Sequence, residues 1–336
     1  MLKPPNKTTV PFDFSNLGIA TAESSSQGGQ STGCTVLLFP EGASAAIDVR
    51  GGSAATREST LLDPLSSWNS IQGICLAGGS TYGLAAADGV MQLLRQEANF
   101  STAFEKIPSV PAAVVYDFQD RTDSSYPDAS LGFAAAQLAR KMSRGETPSI
   151  ISVGAIGAGS NVHVGKFISR THAERGGQGA AFLQAGPWKM LAVTILNSLG
   201  NILGPSGEIL AGSREPRTGK RLSLTDSIEK IARLKGRSAL LRPSEGNTTL
   251  TVLVTNAPLD RTQLQRLAVQ AHTGMARVIE PFHTPYDGDV LFAVSVSPPE
   301  APRLHSALPM ELGLLGIRAA HEAVWSLYPR ARPTPG

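Results

Sequence analysis

A run of β-branched residues near the carboxyl end restricts the possible folds of this chain more than any other segment. It reads Gly246-Asn247-Thr248-Thr249-Leu250-Thr251-Val252-Leu253-Val254-Thr255-Asn256. Threonine and valine have stiff χ1 torsions and favour extended backbone, so the run predicts a strand that begins at Thr248. Whatever fold the chain adopts, it must place this strand directly after a flexible Gly-Asn pair.

Thr248 has two interpretations at this position. If the Asn247–Thr248 bond breaks, Thr248 gains a free α-amine beside its own hydroxyl, and that amine can act as the general base of the hydroxyl. A weak nucleophile would then be activated without any other side chain. Alternatively, the Asn-Thr pair simply ends a loop and begins a strand. The segment taken alone is compatible with both interpretations.

Composition describes a globular protein with close-packed layers. With 336 residues, the chain forms either one large domain or two ordinary ones. Its 34 glycines and 23 prolines, with few aromatics, favour tight turns and thin layers over a helical bundle. A net charge of +3, with no basic motif interleaved with aromatics, argues against a nucleic-acid partner.

The cysteines and the apolar runs bear on location. Cys34 and Cys75 are too few for a disulfide framework or a metal site, which fits a reduced, cytoplasmic setting. The amino-terminal residues contain no apolar signal core. No apolar run approaches the ~20 residues that cross a bilayer, so we expect no membrane partner.

Apolar spacing and turn residues predict a mixture of strands and helices. Strands are predicted at Cys34–Phe39, Ala45–Val49 (after a Pro40-Glu41-Gly42 turn), Gly73–Leu76, Ala112–Tyr116, Ser149–Ala155, Met190–Asn197, Thr248–Asn256 and Val290–Val296. Helices are predicted from about Tyr82 to Gln96, at Ser130–Arg144, from a cap at Asp260 or Thr262 to about Val278, and at Leu312–Leu327. Residues Leu84, Ala87, Met91 and Leu94 of the first helix, and Leu264, Leu267, Ala271 and Met275 of the third, are predicted to face the core.

The order of these elements points to an α+β fold. Several strands follow one another without intervening helices, which argues against a doubly wound sheet and for stacked sheets covered by helices. Residues 1–12, the tail from about Pro329 and the Ser/Gly-rich Glu23–Gly33 are predicted to be loops. The long polar stretch from about Gly204 to Gly246 is predicted to be a processing loop.

The other chemistry-bearing segments are ambiguous by themselves. Residues 78–83 (Gly-Gly-Ser-Thr-Tyr-Gly) follow a strand and precede a helix but lack the Lys-Ser/Thr ending of a phosphate loop. His272 and His283 are interpreted as hydrogen-bonded structural histidines, and no histidine has metal-ligand spacing. Asp287-Gly288-Asp289 is either a turn or a pair of carboxylates that orients an ammonium group.

Taken together, short segments between about residues 34 and 325 resemble one family. It comprises the self-processing L-aminopeptidase/D-esterase-amidases, the β-aminopeptidases and the nylon-oligomer hydrolases, that is, peptidase family S58. The resemblance is carried, in order, by Ile74–Gly79 with Tyr82-Gly83-Leu84, Val114–Phe118, Tyr126-Pro127-Asp128, Gly177–Phe182, Gly246–Thr249, Val254–Asn256, and Pro281–Thr284 with Asp287–Asp289. The Asn-Thr pair, the Val-Tyr-Asp-Phe segment and the Asp-Gly-Asp turn are most similar to the nylon-oligomer hydrolases, which cut 6-aminohexanoate oligomers.

The resemblance implies a four-layer αββα sandwich of the self-cleaving aminopeptidase/ornithine acetyltransferase type. It implies a single catalytic domain, residues 1–336, that cleaves itself into chains 1–247 and 248–336 and forms homo-oligomers, with four cleaved pairs as the expected assembly. Thr248 matches the nucleophile of the family, and Asn247 precedes the cleaved bond. The other matching active-site positions are Tyr116, Lys166, Asn197, Asp287 and Asp289. No metal or organic cofactor is implied.

The resemblance also suggests a role for each group. The freed amine of Thr248, with an ordinary pKa of ~7.7–8.0, would accept the hydroxyl proton, and a nearby Lys166 ammonium would lower that pKa. Asp287 and Asp289 would hold the amine and the lysine. Asn197 and Tyr116 would donate hydrogen bonds to the oxyanion.

Three alternatives remain beside a nylon-oligomer endohydrolase. An aminopeptidase or D-amidase-esterase of the same family would act on short peptides or β-peptides, with Asp289 placed for the substrate ammonium. A self-cleaving acyltransferase of the ornithine acetyltransferase type is disfavoured because its characteristic motifs are missing. An uncleaved relative would keep the fold without catalysis. Pro285-Tyr286 and Ser80-Thr81 depart from the family pattern and bear on substrate specificity.

Overall fold

The computed structural model describes residues 8–25, 31–167, 170–215, 217–233, 246–297 and 308–328. Strands and helices are mixed along these ranges. The strands are β1 (Thr8–Pro11), β2 (Gly18–Ser25), β3 (Ser31–Val49), β4 (Thr56–Arg57), β5 (Ile71–Ala77), β6 (Ala112–Val114), β7 (Ile150–Val153), β8 (His163–Val164), β9 (Glu174–Arg175), β10 (Gly177–Ala185), β11 (Trp188–Asn197), β12 (Asn201–Leu203), β13 (Ile209–Ala211), β14 (Thr248–Thr255), β15 (Ile279–Glu280) and β16 (Val290–Ser295). The α-helices are α1 (Ala86–Glu97), α2 (Ala129–Ser143), α3 (Leu224–Arg233), α4 (Arg261–Gly274) and α5 (Met310–Trp325).

Two sheets share the long strand β3. Residues 44–49 of β3 pair with β16, which continues through β14 and β11 to β10. Residues 31–38 pair with β2 on one side, and residues 34–43 pair with β5 on the other, followed by β6 and β4. A register shift between Leu38 and Ala43 separates the two halves, so a single strand passes from one sheet to the other.

Alternating side chains place the β2–β3–β5 sheet between two apolar layers. Leu37 and Ile74 point into the larger core, which also contains the β11 and β14 residues. Val36 and Cys75, one position along each strand, point into a second core against α1 and α2. The period of two along a strand therefore makes both faces of this sheet apolar.

Helices cover the outer faces of both sheets. Helix α2 packs on β2 and β3 and helix α1 on β5, while α5 packs on β10 and β11 and α4 on β3 and β16. The order of layers is helices, sheet, sheet, helices. The predicted four-layer αββα sandwich is therefore confirmed.

Most predicted elements are present, with shifted ends. Asp260 caps the start of helix α4: its side chain accepts from the Gln263 backbone N–H, while the Gln263 side chain accepts from the Asp260 N–H. All four residues predicted to face inward on this helix are buried. The predicted helix at Tyr82–Gln96 begins as a 3₁₀ turn, Ser80–Ala85, before α1. Its buried face contains Val90 and Leu93, whereas Leu84 and Met91 are only half-buried.

Several loop predictions were wrong. The Pro40-Glu41-Gly42 turn does not end a strand, because β3 runs through it and accommodates the extra residues as an irregularity in its pairing. Residues 8–11 form β1, which pairs with β7, although the first twelve residues were predicted to be loose. Of the Ser/Gly-rich Glu23–Gly33, residues 23–25 end β2 and residues 31–33 begin β3, whereas residues 26–30 lie outside the described residues. These polar segments are extended because neighbouring strands supply backbone partners, which composition does not reveal.

The predicted processing loop contains regular structure. Strand β13 lies at Ile209–Ala211 and helix α3 at Leu224–Arg233. Residues 216 and 234–245 lie outside the described residues, as do residues 1–7 and the tail from residue 329.

Cys34 and Cys75 are buried free thiols. None of the described helices is long and apolar enough to cross a bilayer, and no group of three or more His, Cys, Asp or Glu in the described ranges could hold a metal ion.

Candidate active site

Thr248 is the first residue of β14, a central strand with a partner on each side. It lies directly across from Asn197 on the antiparallel strand β11, and β16 pairs with β14 in parallel from Leu250 onward. Both Asn247 and Thr248 are buried. A threonine hydroxyl is thus fixed at the end of the middle strand of the sheet, where loops from several elements converge.

The carbonyl of Asn247, which precedes Thr248, accepts two hydrogen bonds. The Thr248 Oγ1 hydroxyl donates to it across 2.5 Å, and the Gly288 backbone N–H donates across 2.7 Å. The Gly288 N–H polarises this carbonyl, and the hydroxyl oxygen lies beside it. A Cβ on residue 288 would lie 2.7 Å from Thr248 Oγ1, so the glycine keeps space for the hydroxyl.

Asn197 and Lys166 surround the preceding carbonyl, that of Gly246. Asn197 Nδ2 donates to the Gly246 oxygen at 3.0 Å and to the Tyr116 backbone oxygen at 3.0 Å. Lys166 Nζ donates to the Asn197 backbone oxygen at 2.7 Å and to Asn197 Oδ1 at 2.8 Å, and lies 3.4 Å from the Gly246 oxygen. Both side chains are fully buried. The amide donor expected for the oxyanion therefore contacts the carbonyl one residue before the Asn247–Thr248 bond.

Tyr116 lies against the same backbone. Its ring would be 2.5 Å from a Cβ at Gly246, and Gly246 has a left-handed φ of 78°. Residue 246 therefore needs glycine for both conformation and space. The strand predicted to reach Tyr116 ends at Val114, and residues 115–118 run as irregular chain past the site.

The irregular segment is anchored by Asp117. Its carboxylate accepts from Thr32 Oγ1 at 2.5 Å, Gly79 N at 2.9 Å and Arg121 at 3.0 Å. Burial outweighs these bonds and raises the pKa of Asp117. The glycines at 78–79 thus allow the backbone to approach the buried carboxylate of Asp117.

Asp287 is a buried carboxylate held mostly by backbone groups. One oxygen accepts from Leu199 N at 3.2 Å, and the other accepts from Thr284 N at 3.1 Å and Thr284 Oγ1 at 2.5 Å. Burial and the nearby Asp289 charge raise the pKa of Asp287 to about 6. The residue therefore titrates between mildly acidic and neutral pH.

Asp289 connects the strand that carries Thr248 to a histidine. Its Oδ1 accepts from the Thr249 N–H at 2.7 Å, and its Oδ2 accepts from His283 N at 3.1 Å and contacts His283 Nδ1 at 3.0 Å. Asp289 is fully buried. The two carboxylates of the Asp-Gly-Asp segment therefore accept hydrogen bonds from the backbone of Leu199, two residues after Asn197, and of Thr249, the residue after Thr248.

The structure brings together all seven residues singled out in the sequence. They are Tyr116, Lys166, Asn197, Asn247, Thr248, Asp287 and Asp289. It adds three contributors that sequence reasoning missed, namely Gly288, His283 and Thr284. His283 was interpreted only as structural, yet it contacts Asp289. Its place two residues after the Glu280–Pro281 bond, in the same loop as both carboxylates, was the available indication.

Such an arrangement suits acyl transfer. A hydroxyl, a polarised carbonyl, a buried amide donor, a buried ammonium group and two carboxylates share one site. Removal of residues 246 and 247 from it would leave Asn197 Nδ2 and the Gly288 N–H free to bind another carbonyl.

Sequence comparisons agree along almost the whole chain. The model of peptidase family S58 matches residues 13–336. A 6-aminohexanoate-oligomer endohydrolase from Kocuria sp. (strain KY2) is 35% identical over 299 residues, which cover 88% of this chain and 77% of that protein. An uncharacterized aminopeptidase from Mycobacterium leprae is 36% identical over 284 residues, covering 81% of this chain and 73% of that protein.

Solved structures share the fold at low sequence identity. The L-aminopeptidase D-Ala-esterase/amidase from Ochrobactrum anthropi, described as a variant of the Ntn-hydrolase fold, aligns with a TM-score of 0.61 and 17% identity. The alignment covers 96% of this chain and 86% of that one. A β-aminopeptidase from Burkholderia sp. aligns with a TM-score of 0.60 and 17% identity, covering 98% and 89%.

Proposed function

Because this chain belongs to peptidase family S58 and is a hydrolase that acts on amide bonds, we propose that it cleaves itself at Asn247–Thr248 and then uses Thr248 as an N-terminal nucleophile. One observation carries the proposal. The Thr248 hydroxyl contacts the carbonyl oxygen of Asn247, and the Gly288 N–H polarises the same carbonyl. Nucleophile and electrophile are therefore neighbours before any cleavage.

Self-cleavage follows from this contact. Thr248 Oγ1 attacks the Asn247 carbonyl carbon, and the Gly288 N–H stabilises the oxyanion that forms. The C–N bond breaks, the hydroxyl proton passes to the Thr248 nitrogen, and an ester joins Asn247 to Thr248 Oγ1. Water hydrolyses the ester, which leaves an Asn247 carboxylate and a Thr248 that has both a free amine and a free hydroxyl.

Substrate hydrolysis uses the groups that the cut exposes. The Thr248 amine takes the hydroxyl proton, and Oγ1 attacks the substrate amide carbon. Asn197 Nδ2, released from the Gly246 carbonyl, donates to the oxyanion, and Lys166 stabilises the amide through its contact with Asn197 Oδ1. The departing amine takes a proton, and water then hydrolyses the acyl ester. Asp287 and Asp289 hold the two backbone segments beside the nucleophile.

We propose linear 6-aminohexanoate oligomers, or similar linear amides, as substrates, with endo-type cleavage. Three curated relatives at 35–36% identity are 6-aminohexanoate-oligomer endohydrolases, and the chain covers more than two thirds of each. The second candidate is an aminopeptidase or D-amidase-esterase, which is supported by the mycobacterial relatives and by the fold of the Ochrobactrum enzyme. The proposed setting is cytoplasmic, with the cleaved pairs assembled into a homo-oligomer.

Intact mass under denaturing conditions tests the nucleophile. We expect wild type and Thr248→Ser to give two chains, of 247 and 336 − 247 = 89 residues, whereas Thr248→Ala stays one chain of 336. The Ser variant keeps the hydroxyl and is the matched control for Ala. A wild-type chain that stays uncleaved after long incubation and still hydrolyses amides would contradict the mechanism.

Blocked substrates separate the two candidates. An endohydrolase should cut a 6-aminohexanoate trimer whether or not its amine is acetylated. An aminopeptidase needs the free ammonium group of its substrate, so it should not cleave the acetylated trimer. Cleavage restricted to substrates with a free amine would favour the second candidate.

A further inference from the structure

Adjacent residues of one loop hold the two carboxylates of the site. His283 directs its backbone N–H and its Nδ1 at Asp289 Oδ2, at 3.1 and 3.0 Å. Thr284 directs its backbone N–H and its hydroxyl at Asp287 Oδ2. Each carboxylate thus has two donors from a single residue, and the two donor residues follow one another in the chain.

The His283 ring is fixed on two sides. Phe282 stacks on it with ring centroids 3.8 Å apart, and the His272 ring meets it edge-on at 4.3 Å. His272 is itself held by Asp48, whose Oδ2 lies 2.9 Å from His272 Nδ1. Burial lowers the pKa of His272, which favours the neutral form of the ring that faces His283. His283 therefore has little freedom to turn away from Asp289.

The contact links His283 to the strand that begins at Thr248. An ionised carboxylate only accepts hydrogen bonds, so the His283 Nδ1 must carry the proton. The other oxygen of Asp289 accepts from the Thr249 N–H. A line of hydrogen bonds therefore runs from His283 through Asp289 to the residue that follows Thr248. Asp289 is fully buried, and a buried carboxylate that loses a donor is left with an unsatisfied acceptor and can turn away.

We propose that His283 is a positioning residue that orients Asp289, and through it the amino end of β14, by the Nδ1–H hydrogen bond. This rests on the proposed role of Thr248 as an N-terminal nucleophile. Once the chain is cut, the first residue of β14 loses the peptide bond that tethered it. The Asp289 contact at Thr249 then determines where the new amine and its hydroxyl point.

Backbone conformation dictates suitable variants. His283 has a left-handed φ of 60°, which Asn, Asp and Gly tolerate far better than other residues. Asn places an N–H donor close to the position of the His Nδ1. Gly removes the donor without adding strain. Both lose the ring contact with Phe282, and only Asn keeps a donor, so a difference in kcat at similar thermal midpoints reports the donor rather than the packing.

The experiment compares purified wild type, His283→Asn and His283→Gly on a linear 6-aminohexanoate trimer, with amine release, intact mass and thermal midpoint measured on the same samples. We expect His283→Gly to lose about tenfold or more in kcat with KM nearly unchanged, as loss of a hydrogen bond to a charged group implies. His283→Asn should stay within about threefold of wild type. Both variants should share a similar drop in thermal midpoint.

Equal kcat values for the Asn and Gly variants, whether high or low, would overturn the role of the donor. If His283→Gly does not fold, His283→Ala replaces it, since Ala also lacks a side-chain donor, and its thermal midpoint reports the strain that Ala adds at the left-handed φ. Equal kcat values for the Asn and Ala variants would then overturn the role. The masses distinguish this result from a failure of the proposed nucleophile. A single uncleaved wild-type chain that hydrolyses the trimer would contradict the proposed nucleophile. A cleaved wild type whose His283 variants have equal kcat values would contradict only the positioning role of His283.

Discussion

At the scale of single residues, Asp287 links the site to pH. Its pKa is raised to about 6 because burial disfavours the charged form and Asp289 adds repulsion, against which Thr284 donates two hydrogen bonds. Protonation of Asp287 removes the negative charge to which these donors and the Leu199 N–H donate hydrogen bonds. The surrounding N–H and O–H groups therefore stabilise the ionised form of Asp287, which is present above its pKa.

The first prediction concerns the acid limb of the pH profile. We expect kcat/KM of the cleaved enzyme to fall as pH drops through about 6, the pKa of Asp287. Thr284→Val keeps the side-chain shape but removes the hydroxyl donor. Because that donor favours the charged form, its loss raises the pKa and should move the midpoint upward by about one pH unit. Profiles of kcat/KM against pH, recorded on a linear 6-aminohexanoate trimer, measure the shift.

Thr284→Ser is the matched control, since it retains the hydroxyl. Its midpoint should stay close to that of wild type. Identical midpoints for the Val and Ser variants would show that another group governs the acid limb.

The sequence identified the carboxylates, the amide, the amine and the hydroxyl of the candidate site, but not the contacts among them. The residues matching the family, such as Lys166 and Asn197, have chemistry that a sequence displays. Gly288 acts through its backbone N–H, which every residue except proline possesses, so only its position reveals it. His283 was underestimated because the type of residue does not show which carboxylate it contacts.

At the scale of elements, regular periodicity was predictable and tertiary pairing was not. The Thr248–Asn256 and Met190–Asn197 runs became neighbouring strands β14 and β11 with nearly the predicted bounds. Strand β3 was missed as a single element because Pro40 and Gly42 are turn residues by local preference. Its continuity depends on two different sheets that hold its two halves, and that pairing is remote in sequence.

The second prediction belongs to the contact between helices α1 and α2. A Cβ on Gly89 would lie 1.8 Å from the Ala129 carbonyl oxygen, and one on Gly132 would lie 1.9 Å from that of Ala86. The two backbones therefore touch through a pair of glycines. Gly89→Ala should lower the free energy of unfolding by about 1–3 kcal/mol, although alanine is the better helix former.

Denaturant unfolding of the uncleaved Thr248→Ala background gives the cleanest measurement of this free energy, since no chain break complicates it. Ser130→Ala, at an exposed position of α2, serves as the control and should change stability by less than about 0.5 kcal/mol. A Gly89→Ala variant as stable as its parent would mean that the helices can move apart at little cost.

At the scale of the whole molecule, the proposed cut divides the chain but not the sandwich. Residues 248–328 contribute β14, β16, α4 and α5, whereas residues 8–247 contribute β3, β10 and β11. In the sheet, β14 pairs with β11 and β16 pairs with β3. Each side of the small chain's strand pair is thus hydrogen-bonded to the large chain. The family resemblance implied the four layers, but not that residues 248–328 would supply the middle strands of a sheet.

The last prediction follows from that position. After cleavage the two chains should stay together as one folded unit, because separation would expose two strand edges and the shared apolar core. We expect wild type and uncleaved Thr248→Ala to elute at the same volume in native size-exclusion chromatography, while denaturing electrophoresis separates only the wild type into two bands.

The yield of refolding from denaturant should also differ between the two proteins. Recovery of the cleaved wild type should rise with protein concentration, since two chains must meet, whereas Thr248→Ala should recover its fold independently of the partner chain at low concentration. A small chain that elutes by itself without denaturant would show that the covalent bond, rather than the shared sheet and core, holds the two parts together.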